Sequence, residues 1–370
     1  MAKSIKAKDN IRSRIKSTLL TLPFKLGSGL IIPILRFGLH VFVYHRPIII
    51  YRRKRIAKKE ARKIRSSIHS EVSRAIIVYD NLTSAPSYGE YIYVILLARY
   101  FIANRIQVSF NIVDSEFRED WNVLTKKQIK EFIDEQVTLA EGLLNSNFSQ
   151  IQRVSWEECK EELSSVSNVT FVPFYTRVRN RISIYRDCFN LLNRLLNKSN
   201  NDLRDKILFS FQELAPKVTI QTVRSPYISW QCRYSEKWDF TRNITEDEFI
   251  QMYNYLYRRF PDHSILIVSD SVGCAYFTKV ADKHNLDVIF SKNLSKTFLG
   301  DAALILNSDF FFQVRGGGIG VFPMFSKVPY KIIAQAGHEL MWSRKSVTSW
   351  QTEQQSFVNK AFFQSYDEAV

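Results

Sequence analysis

The sequence predicts an α/β fold made of two successive doubly wound halves, preceded by a basic amphipathic arm. Three observations lead there. From residue 75 onward, short β-branched runs alternate with segments of helical period. The alternation restarts near Pro216, and nearly all of the net charge sits in the first seventy residues. At 370 residues, 45% hydrophobic and 14% aromatic, the chain is long and apolar enough for two cores.

The arm comes first. Residues 1–70 hold 18 of the 52 Lys and Arg side chains and only Asp9 and Glu60 as acids, which accounts for the whole net charge of +16. The other 300 residues are electrically balanced, so a folded nucleic-acid-binding surface is not indicated. The apolar centre of the arm is broken by Pro23, Pro33 and Pro47 and interrupted by Lys25, Arg36, His40 and Arg46. It is too interrupted to span a bilayer, and it reads as lying in an anionic membrane surface. A solvated basic tail is the plainer alternative. Cys159, Cys188, Cys232 and Cys274 show neither CxxC nor His pairing, which implies a reducing, cytoplasmic setting and no zinc site.

The first half, residues 71–215, opens with a strand at 75–79, a helix at 90–101 and a strand at 107–113, a βαβ unit. Helices are predicted at 126–145, 156–163, 182–196 and 201–214, and a strand at 169–172. The second half, residues 216–345, reads as a strand at 217–223 ending on Arg224, a helix at 246–260 and a strand at 264–268. It continues with a helix at 272–284, a strand at 286–290, a helix at 299–307 and an aromatic strand from Phe310. Residues 346–370 are predicted to pack a helix, 349–366, back on the first half.

Open α/β sheets bind ligands beyond the carboxyl ends of their strands, so the loops there supply the candidates. Arg224, with Arg242 and Asn243 further along, offers planar cations suited to a diphosphate. Ser269 and Asp270 follow the next strand and would contact a ribose or simply cap a helix. Ser308 and Asp309 introduce an aromatic run followed by Gly316, Gly317, Gly318 and Gly320. Glycine backbones permit close approach, so they suit a phosphate or sugar, or else a tight turn. In the first half, Asp80, Tyr88 and Glu90 flank a loop after the first strand. Glu90 suits a helix N-terminus on dipole grounds and could serve as a general base, as could Asp80.

Taken together, these segments resemble a GT-B glycosyltransferase, and within that fold the fucosyltransferase-like group. The features that carry the likeness are Arg224 with Arg242-Asn243, Ser269-Asp270-Ser271, and Ser308-Asp309 through Gly318 before Lys-Val-Pro-Tyr. The resemblance covers about residues 72–345. It implies two Rossmann-like domains facing a central cleft, with a nucleotide sugar held by the second. Arg224 would bind the diphosphate, Asp309 to Gly318 would line the donor pocket, and Pro86 to Glu90 would help bind donor and acceptor. The chain lacks the family's His-x-Arg form near Arg224; a GDP-sugar is favoured as donor, with other nucleotide sugars, including a CMP-linked acid, left open. Such enzymes usually need no metal, and no Asp-x-Asp motif occurs.

The expectation is a metal-independent, inverting glycosyltransferase with no cofactor. It would sit peripherally on the inner face of a membrane and use a glycan or glycolipid acceptor. The alternatives are a non-enzymatic membrane-surface or nucleic-acid-binding protein working through the arm, and an α/β phosphoryl-handling enzyme.

Overall fold

The computed structural model describes residues 45–68, 74–81, 88–114, 125–144, 147–165, 184–221, 223, 226–236, 243–315, 317–334 and 355–359. The apolar centre of the arm, the expected strand at 169–172, and Arg224, Arg242 and Gly316 lie outside these residues. The chain divides into two compact units, Met1–Arg52 and Arg53–Val370. Both sheets and the helices that cover them belong to the second.

Helix α1, His45–Ile68, places Ala57, Ala61 and Ile64 at helical spacing and buries all three, while Arg55, Lys58, Lys59, Arg62 and Lys63 are exposed. Arg65 donates to the Arg194 carbonyl at 3.1 Å. The last turns of the expected surface arm therefore belong to the folded core, with the basic side chains on the outside.

The first sheet comprises β1, Arg74–Asp80, β2, Gln107–Val113, and β3, Ser149–Val154, all parallel and in the order β1-β2-β3. β1 and β2 are apolar runs buried on both faces, as parallel strands require. β3, Ser-Gln-Ile-Gln-Arg-Val, is a half-exposed edge strand and lacks the apolar run that marks strands in sequence. Helix α2, Tyr88–Ala103, links β1 to β2, and α3, Lys126–Leu144, links β2 to β3. The helices α4, Trp156–Ser165, and α5, Ile184–Leu196, follow. The expected 201–214 helix is two, α6, Asn201–Ile207, and α7, Phe211–Leu214, because Asn200 and Ser210 each cap a fresh N-terminus through their side chains.

The second sheet corrects two expectations. Lys217–Val223 is not a strand: Ala215–Lys217 make a 3-10 turn, and Val218, Ile220 and Val223 lean on the core from irregular chain. The strand is β4, Tyr227–Gln231, every residue of which is buried. An alternating Val-Thr-Ile-Gln pattern suits a strand with one wet face, whereas the centre of a doubly wound sheet demands burial on both. The remaining strands are β5, Ser264–Val268, β6, Ile289–Phe290, β7, Phe310–Val314, β8, Tyr330–Ala334, and β9, Gln355–Asn359. β9 lies within the segment expected to be a C-terminal helix and pairs in parallel with β8; the rest of residues 349–366 is outside the described residues.

The sheet order is β6-β5-β4-β7-β8-β9, parallel throughout. Counted from β4, this is the 3-2-1-4-5-6 order of a dinucleotide-type fold, with its topological switch between β4 and β7. Helix α8, Glu246–Arg259, connects β4 to β5 and starts in a capping box formed by Thr245 and Glu248. Helix α9, Ser271–His284, ends on Asn285 in the left-handed conformation. The short α10, Ser291–Leu294, and α11, Phe298–Leu306, lead to β7, and α12, Val321–Met324, follows it.

One hydrophobic core contains Tyr79, Tyr91 and Leu96 from the first half together with Tyr227, Leu304, Phe322 and Tyr330 from the second. Helix α2 is apolar all round because it packs on the first sheet, on α3, α5 and α6, and on α12 with the adjoining 3-10 turn Gly318–Gly320.

Candidate ligand site at the carboxyl edge of the second sheet

At the switch point Gln231, the last residue of β4, and Gln313, one residue before the end of β7, are register partners in adjacent parallel strands. Their side chains therefore leave the same face of the sheet. Both are buried, to 7% and 2% exposure. Gln313 Nε2 donates to the Gly317 carbonyl at 3.2 Å. Gln231 Oε1 has no hydrogen-bond partner among the described residues. A buried amide oxygen left unbonded costs about 1–3 kcal/mol, so it marks a place where a donor group is wanted.

What the glycine segment approaches closely is protein. A Cβ on Gly317 would stand 2.8 Å from the Gln231 amide nitrogen, and one on Gly318 would stand 2.7 Å from the Gly89 backbone nitrogen in the first turn of α2. Arg315, at φ 63, donates to the Asn243 carbonyl at 2.6 Å and pairs with the Glu248 carboxylate. Its charge therefore holds β7 to the start of α8. Asn243 accepts from the Ser235 amide at 2.9 Å and donates back to the Ser235 carbonyl at 2.8 Å. Ser269 donates to the Cys232 carbonyl at 2.7 Å, and Asp270 caps α9 by accepting from Gly273 at 2.7 Å. Asn243, Ser269 and Asp270 thus stand where the sequence puts them, each engaged in local structure.

Ser308 and Asp309 stand elsewhere. They precede β7, so they sit at the amino edge, about 16 Å of strand away from Gly317. Ser308 Oγ lies 2.8 Å from Ser229 Oγ and donates to Ile305, and Asp309 faces His263 at 3.4 Å. Arg224 precedes β4 in the chain and lies outside the described residues. Arg242 and Gly316 belong to segments that leave β4 and β7 at the carboxyl edge.

From the first half, Asp80 ends β1 fully buried, whereas Glu90 is half-buried in the first turn of α2. The Tyr88 ring stacks on Phe298 with centroids 4.4 Å apart, and its hydroxyl donates to Glu135 of α3. Nearby, Lys292 of α10 donates to Asp301 of α11 at 2.5 Å. Sequence reasoning missed Glu135, Lys292, Asp301 and Gln231. They lie in helices or at the end of a misplaced strand, and only the topology brings them to this edge.

Burial raises the Asp301 carboxyl to about 6, opposed by Lys292 and Ser291 and reinforced by Glu135, whose own carboxyl burial also raises. A carboxyl raised above its usual 3.8 favours the fold fully only below that pH, and the benefit is lost as pH rises through about 6. The stability of wild type relative to Asp301→Asn is therefore expected to fall by about 2 kcal/mol between pH 4 and pH 7. Urea unfolding of both proteins at the two pH values checks it, and a constant difference refutes it.

Among the described residues no group of three His, Cys, Asp or Glu side chains is placed to hold a metal ion, and no helix is long and apolar enough to cross a membrane. Cys159, Cys232 and Cys274 are buried free thiols.

No family model matches the chain, and no curated protein does. Among solved structures, the chain is similar to a family 9 glycosyl transferase from Veillonella parvula. That match has 12% identity and a TM-score of 0.40, covering 80% of this chain and 88% of that one. It is also similar to the ADP-heptose lipopolysaccharide heptosyltransferase II of E. coli, at 7% identity and TM-score 0.37, covering 79% and 92%. A third likeness is to UDP-GlcNAc 2-epimerase of Neisseria meningitidis bound to UDP-GlcNAc, at 10% identity and TM-score 0.32, covering 76% and 88%.

Proposed function

We propose that the protein is a nucleotide-sugar-dependent glycosyltransferase that holds its donor at the carboxyl edge of the second sheet. The observation that carries this reading is the 3-2-1-4-5-6 parallel order, with the unbonded Gln231 amide oxygen lying against Gly317 at its switch point. Gln231 is the group to accept a donor hydroxyl or base amine there. Arg242, in the segment leaving β4, is the cation for the departing phosphate, a role it takes over from Arg224. Glu90, at the mouth of α2, is better placed than the buried Asp80 to take the acceptor proton. The reaction is direct displacement with inversion and needs no metal or cofactor, and a GDP-sugar is the favoured donor. The exposed basic row of α1 supports attachment to an anionic membrane surface on the cytoplasmic side, where a lipid-linked or surface glycan is the acceptor.

The test is thermal unfolding of the full chain with GDP, UDP, CMP and dTDP and their sugars. A ligand at 100 times its Kd stabilises by about 2.7 kcal/mol, which is a rise of several degrees. One nucleotide class is expected to raise Tm, and Gln231→Leu and Arg242→Ala each to abolish the rise. Silence with every nucleotide overturns the proposal. A response lost in Arg224→Ala but kept in Arg242→Ala returns the phosphate role to Arg224.

A further inference from the structure

A cavity of about 1000 Å³ opens at the amino edges of both sheets, opposite the candidate donor site. Its walls are partly apolar, with Ile102, Leu144, Leu208, Phe211 and Val328 among them. Its charges do not all cancel. Arg99 pairs with Glu213, Lys327 with Asp205 at 3.1 Å, and Asp309 with His263 at 3.4 Å. Arg105 and Lys206 also line the cavity, and neither has an ion-pair partner among the described residues.

Arg105 is also in an unexpected conformation for its type. The Arg105 amide donates to Ile102 at 2.8 Å and the Ile106 amide to Phe101 at 3.1 Å, a Schellman closure of α2 that sets Arg105 at φ 62. Glycine is the residue this position favours, and a side chain there costs about 1 kcal/mol. An arginine that the local backbone disfavours, lining a half-apolar cavity that a second unmatched cation also lines, points to a ligand.

We infer that this cavity binds an anionic amphiphile, with a phosphate-type head between Arg105 and Lys206 and a hydrocarbon chain along Ile102, Leu208 and Phe211. The inference stands apart from the proposed transfer reaction, since it uses the opposite edge of the sheets. A volume near 1000 Å³ accommodates a single chain of this kind.

The experiment is calorimetric titration of the full chain with decyl phosphate below its micelle concentration, and with inorganic phosphate. Decyl phosphate is expected to bind one to one, and inorganic phosphate at least tenfold more weakly. Arg105→Gly with Lys206→Gln should weaken decyl phosphate at least tenfold while melting no lower than wild type, because glycine suits the left-handed position. Phe211→Ser should weaken decyl phosphate and leave inorganic phosphate unchanged. Equal binding of the two ligands would show a bare phosphate site and overturn the amphiphile. Unchanged binding in the double variant, or no saturable binding to wild type, overturns the site itself.

Discussion

Arg99→Ala is expected to destabilise the protein by about 3–5 kcal/mol, a large share of the 5–15 kcal/mol that holds a typical fold together. Arg99 lies in the C-terminal third of the buried α2 and is only 8% exposed. Its guanidinium donates to the carbonyls of Ile207 at 2.8 Å, Leu143 at 3.0 Å and Leu208 at 3.0 Å, and pairs with Glu213. Its Cζ stands 4.9 Å from the centre of the Phe209 ring. One side chain thus ties the end of α3 and the break between α6 and α7 to the central helix. Removing it leaves three carbonyl oxygens without that donor. Arg99→Lys should recover little, since an ammonium cannot reproduce a planar fork aimed at three carbonyls and a carboxylate. Urea unfolding measures both variants, and a loss below about 1 kcal/mol for Arg99→Ala would show that water replaces these bonds.

The parts of the fold legible in the sequence are those in which burial leaves a local mark. β1, α2 and β2 appear as apolar runs of the right length, and α8 announces itself through Thr245 and Glu248. β4 and β3 fail for opposite reasons. β4 carries Ser229 and Gln231 inside the sheet, so its run looks broken. β3 is a polar edge strand held by pairing to one neighbour. β9 is a strand through its pairing with β8, which no local pattern in residues 346–370 reveals.

The candidate site was legible only in part. Gly317, Gly318, Asn243 and Asp270 reach the predicted edge, whereas the strand expected to end on Arg224 is β4, which begins three residues further along the chain. Nearness in sequence groups Ser308 and Asp309 with the glycines, yet a strand of five residues carries its two ends to opposite edges of the sheet. Gln231 and Gln313 became candidates only when the switch between β4 and β7 placed two amides side by side.

Gly318→Ala is expected to cost about 3 kcal/mol, more than Gly320→Ala, although the closer contact is at Gly320. A methyl group on Gly320 would stand 2.0 Å from Gln313 Oε1, the tip of a side chain that can rotate at the loss of its bond to the Gly317 carbonyl. A methyl group on Gly318 would meet the Gly89 nitrogen at 2.7 Å and its Cα at 3.3 Å, and both are backbone in the first turn of a helix buried on every side. Neither partner can yield without moving α2 from the first sheet or the 3-10 turn from β7. Because Gly317 rests on Gln231, the same displacement would open the switch point, so Gly318→Ala should lose the nucleotide-dependent rise in Tm together with its stability. Unfolding of the two variants gives the order. If Gly320→Ala proves the costlier, the seam between α2 and the glycine turn is slack, and the two halves are held together chiefly by the aromatic core beneath it.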